Sequence, residues 1–353
     1  MSRWRGRIGE QGSELILQVT VQAGLASGAI KTSSLERISI DTTVQEKAIA
    51  FPTDARLFNR SRERLVRLAK RHGVQLRQSY SRLGPRALMW VGRYFHARQI
   101  RRARREIRRL KTFLGRVYRD IIRKIKGNAE LQAVFSSELG LAERLLTQQQ
   151  KDKNKLYSLH APEVECIGKG KAHKKYEFGV KVSVAVSNRD NFVVGMLAEP
   201  GNPYDGHTLG RAIGQVERIT GRALERTFVD RGYRGHGLKR PQVLISGSKR
   251  GLTAQMKKEL RRRSAIEPVI GHMKSDGKLG RNHLLGALGD KINALLCGAG
   301  HNIRIILRKL RELLFFLCAG TLLRLCTCFA WLRWTVDCPD CLQTDVGGRQ
   351  TAK

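Results

Sequence analysis

The sequence predicts an α/β protein, a mixed sheet flanked by helices with a long arginine-rich helical insertion after the first strand. Three observations predict it. Residues 177–187, E-F-G-V-K-V-S-V-A-V-S, alternate strictly, with Phe178, Val180, Val182, Val184 and Val186 on one side and Gly179, Lys181, Ser183, Ala185 and Ser187 on the other. That period of two belongs to a strand. From Ala55 to about Gln150 the period changes to that of long amphipathic helices. Finally, in a chain short of acid, Asp41, Asp230 and Glu267 stand singly in strand-like or helical stretches that a sheet can bring together.

Composition narrows the partners. Against 67 Lys+Arg stand 30 Asp+Glu, a net charge of +37 over 353 residues. Such an excess repels itself in a free monomer, so a polyanionic partner is the economical explanation, nucleic acid being the commonest. Hydrophobic residues at 41% exclude a disordered tail. Ser2 to Gly12 is polar and basic, without the apolar core of a secretory signal. Seven cysteines, an odd number in a long chain, fit a reducing compartment better than a disulfide framework.

Taken in order, residues 8–25 read as an amphipathic helix with Leu15, Val19 and Gln22 down one side, ended by Gly24 and Gly28. Leu35, Ile38, Ile40 and Val44 then form a strand around Asp41. An acid at the end of a buried strand is costly unless it is paired or metal-bound, although a turn aspartate at a strand end is also common. The helical region that follows is punctuated at Gly73, Gly84-Pro85, Gly127-Asn128 and Gly140. Between Arg93 and Lys126 fourteen Lys/Arg face only Glu106 and Asp120. Ile100, Ala103, Ile107, Leu110, Leu114, Val117 and Ile121 keep helical spacing through this run, so Arg101, Arg102, Arg104, Arg105, Arg108 and Arg109 are expected on a phosphate-tracking face rather than a merely solvated one.

Residues 151–175 read as a polar, basic linker or loop near nucleic acid. After the alternating strand, Asn188–Asn191 turns the chain into F-V-V-G-M-L-A, an antiparallel hairpin. A helix follows from Thr208 to about Thr220, then R-T-F-V ending at Asp230, the strand P-Q-V-L-I-S-G, and a helix over Leu252–Leu260. The stretch R-R-R-S-A-I-E-P-V-I-G-H-M-K at 261–274 places Arg263, Glu267 and Lys274 within about 40° of one another at about 100° per residue. A lone acid among cations on one face suits a metal ligand beside a phosphate backbone. Ser264 and Glu267 equally make an S-x-x-E capping box, with Pro268 in the first turn of a helix starting near Ser264, and both readings stand. The tail E-L-L-F-F-L-C-A-G-T-L-L-R-L-C-T-C-F-A-W-L is apolar enough to suggest a membrane span, but Arg324 at its middle costs ~3 kcal/mol and favours a buried or poorly folded terminal helix. Cys326, Cys328, Cys338 and Cys341 have irregular spacing for zinc and no histidine among them.

Four stretches together are more specific than any one of them: D-T-T-V-Q-E-K-A-I-A-F-P-T-D-A-R-L at 41–57, G-N-P-Y-D-G-H-T-L at 201–209, V-D-R-G-Y-R-G at 229–235, and the stretch at 261–274. In that order, across residues 3 to about 310, the sequence resembles a DDE transposase of a bacterial insertion sequence, in the family numbered five, which has an RNase H-like catalytic core. The resemblance implies a helical remnant at 1–34, a core made of 35–54 and 176–310, a basic helical insertion and linker at 55–175, and a C-terminal tail at 311–353. It implies that Asp41, Asp230 and Glu267 are the catalytic triad and the ligands of two Mg²⁺ ions, with Mn²⁺ as a substitute. Arg263 and Lys274 would then steady DNA phosphates, with Tyr233 and His207 as weaker neighbours that packing alone also explains.

Families of this kind carry a tyrosine, two residues, arginine, three residues, glutamate, six residues, lysine. Arg263, Glu267 and Lys274 match, while Leu260 takes the tyrosine position. Relatives usually place a DNA-binding domain before the first catalytic strand, and only forty residues precede Asp41, so a shortened N-terminus is expected. The implied activity is metal-dependent cleavage of transposon ends and transfer of the 3′-OH to target DNA. Its partner would be double-stranded DNA, bound by a homodimer in the bacterial cytoplasm at the nucleoid, without a membrane partner. Two alternatives remain open from sequence: a DNA-binding remnant without catalysis, and an RNase H-like nuclease that cuts without joining.

Overall fold

The computed structural model describes residues 2–168, 174–248 and 251–337, with side chains described for all of these except 2, 3, 5, 6 and 320–337. The sheet is built around β1 (Arg37–Glu46), rich in the β-branched residues that favour a pleated, half-buried surface. β1 pairs antiparallel with β3 (Tyr176–Ser187), and parallel with β5 (Arg226–Val229), which pairs parallel with β6 (Gln242–Ile245). Both β2 (Glu165–Gly168) and β4 (Val193–Glu199) pair antiparallel with β3, giving a mixed six-stranded sheet in the order β2-β3-β1-β5-β6 with β4 beside β3. The expected β3–β4 hairpin is present, with a bulge at Ala185/Val186. β3 is buried on both faces over most of its length, so its strict alternation marks a strand but not a solvent side. Gly179 is required there: a Cβ would collide with the Gln45 carbonyl of the paired strand.

Helices cover this sheet. The first helix, α1 (Ser2–Ala26), is interrupted at Gly9, where the backbone turns to φ 65°. Its buried face corrects the sequence reading. Leu15 and Val19 are 57% and 51% exposed, whereas Ser13, Leu17, Thr20 and Val21 are buried. The choice is made by distant partners: the Thr20 hydroxyl accepts from Asn302 Nδ2 at 3.0 Å, and Gly24 lies where a Cβ would stand 2.5 Å from the Phe192 ring. Gly24 is thus a packing site inside the helix, and Gly28, at φ 66°, follows its end.

Between β1 and β2 the chain makes α2 (Asp54–Arg71), α3 (Leu83–His96), α4 (Ile100–Ile125) and α5 (Ala129–Thr147). Thr53 and Asn128 cap α2 and α5 by accepting from Arg56 N and Leu131 N. Gly73 and Gly127 break the helices with positive φ as expected, but Gly140 lies within α5. The helices share an apolar core around Leu65, Leu110, Leu114, Ile121 and Phe135. Not every arginine of these helices is a surface charge. Arg62 is 2% exposed, donates to Ser79 O and Asn59 Oδ1, and burial lowers its pKa despite Glu63 beside it.

After the hairpin come α6 (Asp205–Thr220), which packs on β4, β3 and β1, then α7 (Ala254–Arg262) and α8 (Ile266–Ser275), which packs on β1. A short 3-10 turn, Arg263–Ala265, separates the last two, so α8 starts at Ile266 with Ala265 as its cap. The last helix is α9 (Gly286–Asp337). The chain divides into two compact units, residues 1–302 and 303–353. In the second, the described part of α9 exposes Leu313, Leu314, Phe315, Phe316 and Leu317. Among the described residues no helix is long and apolar enough to cross a membrane. Arg324 and Cys326, Cys328, Cys338 and Cys341 lie outside the described side chains; Cys166 is a free thiol.

One buried cation ties the first unit together. Just past β1, the Lys47 ammonium, 3% exposed, lies 2.7 Å from Asp290 Oδ1 on α9 and 2.8 Å from Glu163 Oε1, two residues before β2. Asn282 Nδ2 donates to the same Asp290 oxygen at 2.7 Å, and Gly286 N donates to Glu163 at 2.8 Å. Burial pushes the Glu163 carboxyl up, but Lys47 and two backbone N–H donors outweigh it and leave the pKa below the usual carboxylate value. For Asp290 burial outweighs Lys47 and Asn282, and the pKa rises. Lys47→Met is expected to cost about 3 kcal/mol in denaturant unfolding, since the buried Asp290 and the partly buried Glu163 lose their counterion. Glu163's contribution is present above the ordinary carboxylate value and is lost as pH falls through its lowered folded value. Unfolding midpoints measured across that acid range are expected to show this loss in the native protein and not in Lys47→Met.

Candidate functional site

Helices and neighbouring strands bury β1 at Ile38–Ile40 and again at Thr43–Gln45, leaving Asp41 and Thr42 as a partly open pair between. Asp41 is therefore in the middle of its strand, not at its end. Its Oδ1 accepts from the Thr42 backbone N–H at 2.8 Å. β1 and β5 run parallel with Ser39 opposite Phe228, and continuing that register brings Asp41 level with Asp230, the first residue beyond β5. Asp230 caps the 3-10 turn Arg231–Tyr233, its Oδ1 accepting from Gly232 N at 2.8 Å.

Glu267 is in the first turn of α8 and does not form the expected capping box: the Ser264 hydroxyl donates to Arg261 O, and no side chain caps α8. Arg263 relates it to Asp41. Its Nη1 lies 3.5 Å from Asp41 Oδ2 and its Nη2 lies 3.6 Å from Glu267 Oε1, so one guanidinium, 14% exposed, bridges two acids from elements far apart in sequence. Lys274, nearly two turns beyond Glu267 on α8, has its ammonium 4.0 Å from Glu177 Oε1 of β3. Leu260 stands on α7, beside a cleft that Arg263 also lines. Arg101, Arg102, Arg104, Arg105, Arg108 and Arg109 of α4 are all exposed. Arg102 lies 6.0 Å over the Tyr94 ring and Arg109 5.5 Å over Phe113, while Arg101, Arg104, Arg105 and Arg108 have no acidic partner among the described residues.

Sequence reasoning missed a fourth acid. Asp205 opens α6, its Oδ1 accepting from the Thr42 hydroxyl at 3.1 Å and from Lys181 Nζ at 3.0 Å. At Gly232 a Cβ would stand 3.0 Å from Asp230 Oδ1 and 3.3 Å from Asp205 Oδ2, so the glycine lets two carboxylates approach the same point. The signal was present in G-N-P-Y-D-G-H, but nothing in that stretch indicates which strand its aspartate will meet. Glu199, opposite Lys181 on β4, is fully buried and paired with Arg211; burial raises its pKa against the pull of Arg211 and Lys181.

Tyr233 lies among these acids. It is 0% exposed, and its hydroxyl has no hydrogen-bond partner. Burial, then Asp41, Asp205, Asp230 and Glu199, hold its pKa well above the ordinary value, so it is a neutral donor. His207 is exposed, its ring edge-on to Tyr204 at 5.5 Å.

No three acidic, histidine or cysteine side chains among the described residues are gathered closely enough to hold an ion as a ready-made set. Asp205 and Asp230 meet at Gly232, while Glu267 is engaged with Arg263. The donor chemistry nonetheless fits a hard divalent cation: carboxylate oxygens without thiol or imidazole, an unpartnered buried hydroxyl, and a glycine that leaves room between two acids.

The fold and site define an α/β protein with acids gathered at one region of a mixed sheet and cations interleaved among them. Residues 160–302 match the family described as the transposase DDE domain. That stretch is thus similar to a transposase DDE domain. The match covers less than half of the chain; it includes Asp205, Asp230 and Glu267 and excludes Asp41 and α2–α5. The chain is also 54% identical over 99 residues to an uncharacterized protein, ORF8 in the nfe locus of Rhizobium meliloti, a stretch that is 28% of this chain and 48% of the relative. The chain spans about half the length of that curated relative. No solved structure matches the chain.

Tyr233→Phe removes a buried hydroxyl that has no partner. It is expected to leave the metal-free melting temperature unchanged or to raise stability by up to about 1 kcal/mol, the reverse of the loss seen where a satisfied hydroxyl is deleted. Thermal unfolding in chelator checks it.

Proposed function

We infer that the chain is a transposase that cuts transposon ends and joins the freed 3′-OH to target DNA, and that Asp41, Asp230 and Glu267 are its acidic triad. The observation that carries this reading is the guanidinium of Arg263 touching both Asp41 and Glu267, with Asp230 level with Asp41 on the adjoining strand. The strand order, an antiparallel hairpin beside a central strand that runs parallel to two more, supports an RNase H-like core.

Asp41 and Asp230 extend from β1 and β5, elements that fix their position more rigidly than a loop does. These residues would hold Mg²⁺ with Glu267, which would turn from Arg263 to complete the set. Bound there, the metal supplies Lewis acidity to the phosphate oxygens and an activated water or 3′-OH at neutral pH. Arg263 keeps Asp41 and Glu267 near each other without their mutual repulsion, and then becomes available to a phosphate. Tyr233 offers a neutral hydroxyl to whatever enters among the acids. The α4 arginines give a sequence-independent grip on the duplex backbone, and Arg102 and Arg109 are steadied by the rings beneath them.

With supercoiled plasmid and Mg²⁺, the native chain is expected to give nicked and joined products, and Asp230→Ala to give neither while duplex affinity is unchanged. Cleavage persisting in Asp230→Ala rejects the triad. Nicked but never joined DNA from the native chain identifies a nuclease, and binding without any product a DNA-binding remnant.

Replacing Arg101, Arg104, Arg105 and Arg108 together with glutamine is expected to weaken duplex binding at every sequence alike. The salt dependence should flatten by about 0.9 in log–log slope for each phosphate contact removed. Titrations at several salt concentrations measure it, and an unchanged slope places the DNA elsewhere.

A further inference from the structure

Asp205 has an ordinary explanation, an acid in the first turn of α6 paired with Lys181. That explanation uses only one of its oxygens. Oδ1 takes both the Thr42 hydroxyl and the Lys181 ammonium, which itself is anchored to Pro203 O at 2.7 Å. Oδ2 is directed to Gly232, where Asp230 Oδ1 also lies. Two carboxylate oxygens converging on one glycine repel each other, and Asp230 has no cationic partner among the described residues to offset this.

An independent observation indicates what belongs there. Tyr233 is on the same 3-10 turn as Gly232, fully buried, with an unpartnered hydroxyl among Asp41, Asp205 and Asp230. A buried donor without an acceptor is costly, and a hydrated cation between the carboxylates offers water oxygens for it.

We propose that Asp205 is a fourth carboxylate of the acidic site, a positioning residue whose free Oδ2 acts beside Asp230 to raise the affinity for a divalent cation. This rests on the reading of Asp230 as a metal-binding residue. Thr42 is part of the device: the residue after Asp41 holds Asp205, so the two acids are set by neighbouring positions of one strand.

The test uses the full chain without DNA and Mn²⁺ alone as the probe, with binding measured by electron paramagnetic resonance of the free ion. Asp205→Asn keeps the helix start and the Thr42 contact, and is expected to weaken Mn²⁺ binding by about tenfold or more, with Asp205→Glu recovering part of the loss. Tyr233→Phe, which does not threaten folding, is expected to weaken Mn²⁺ binding while the metal-free melting temperature does not fall. Lower metal-free stability in Asp205→Asn with unchanged Mn²⁺ affinity overturns the proposal and leaves the helix-start role. Asp230→Asn, measured in parallel, separates the two readings. If it weakens binding while Asp205→Asn leaves the affinity unchanged, only the role of Asp205 falls; if neither variant alters binding, the metal site itself is misassigned.

Discussion

The burial of a single ammonium, that of Lys47, constrains everything else in the first unit. The chain leaves the sheet at the end of β1, runs through four helices and returns at β2, and it must return with β3 in register against β1. Lys47 stands at the exit, Glu163 at the return and Asp290 on α9, all within 2.8 Å of one nitrogen. Neither acid is worth burying without the cation, and the cation is not worth burying without both. The arrangement therefore specifies which parts of the chain meet more than it adds net stability. Gln45 extends it by donating to Asp290 O and accepting from Asn293, so the side of β1 nearest the exit is fixed by polar contacts while the middle of the strand stays open at Asp41.

Much of the fold was legible because its signals are local. The alternation at 177–187, the turn at Asn188–Asn191, the apolar stripe of α4 and the glycines at 73 and 127 each act through their own stretch of backbone. What was not legible depends on residues far away. The buried side of α1 is chosen by Asn302 and Phe192, which make Thr20 and Gly24 interior positions although neither is a large apolar residue. Arg62 reads as one more surface charge until Ser79 and Asn59 close around it. Ser264 and Glu267 have capping-box spacing, yet a 3-10 turn intervenes and Glu267 faces Arg263 instead.

The site shows the same division. Asp230 and Glu267 are set apart by the motifs around them, and an acid after a short apolar strand is a pattern that sequence carries. Asp205 is not set apart, because its significance comes from Thr42 and Lys181 on two other strands and from the missing Cβ of Gly232. Arg263 fits the spacing of a phosphate contact, and the structure adds that its two outer nitrogens are engaged with acids. A charge can be in the expected place and still be occupied with neighbours.

The adjacency of Lys47 and Glu163 has a consequence for how such a chain can change over generations. Its departure from the sheet and its return are side by side, so the helices between them form a side branch off the sheet. Lengthening, shortening or exchanging that branch leaves the strand order untouched, much as a tool head can be swapped on a fixed handle. The arginine-rich surface can then diversify while Asp41, Asp205, Asp230 and Glu267 keep their relative places.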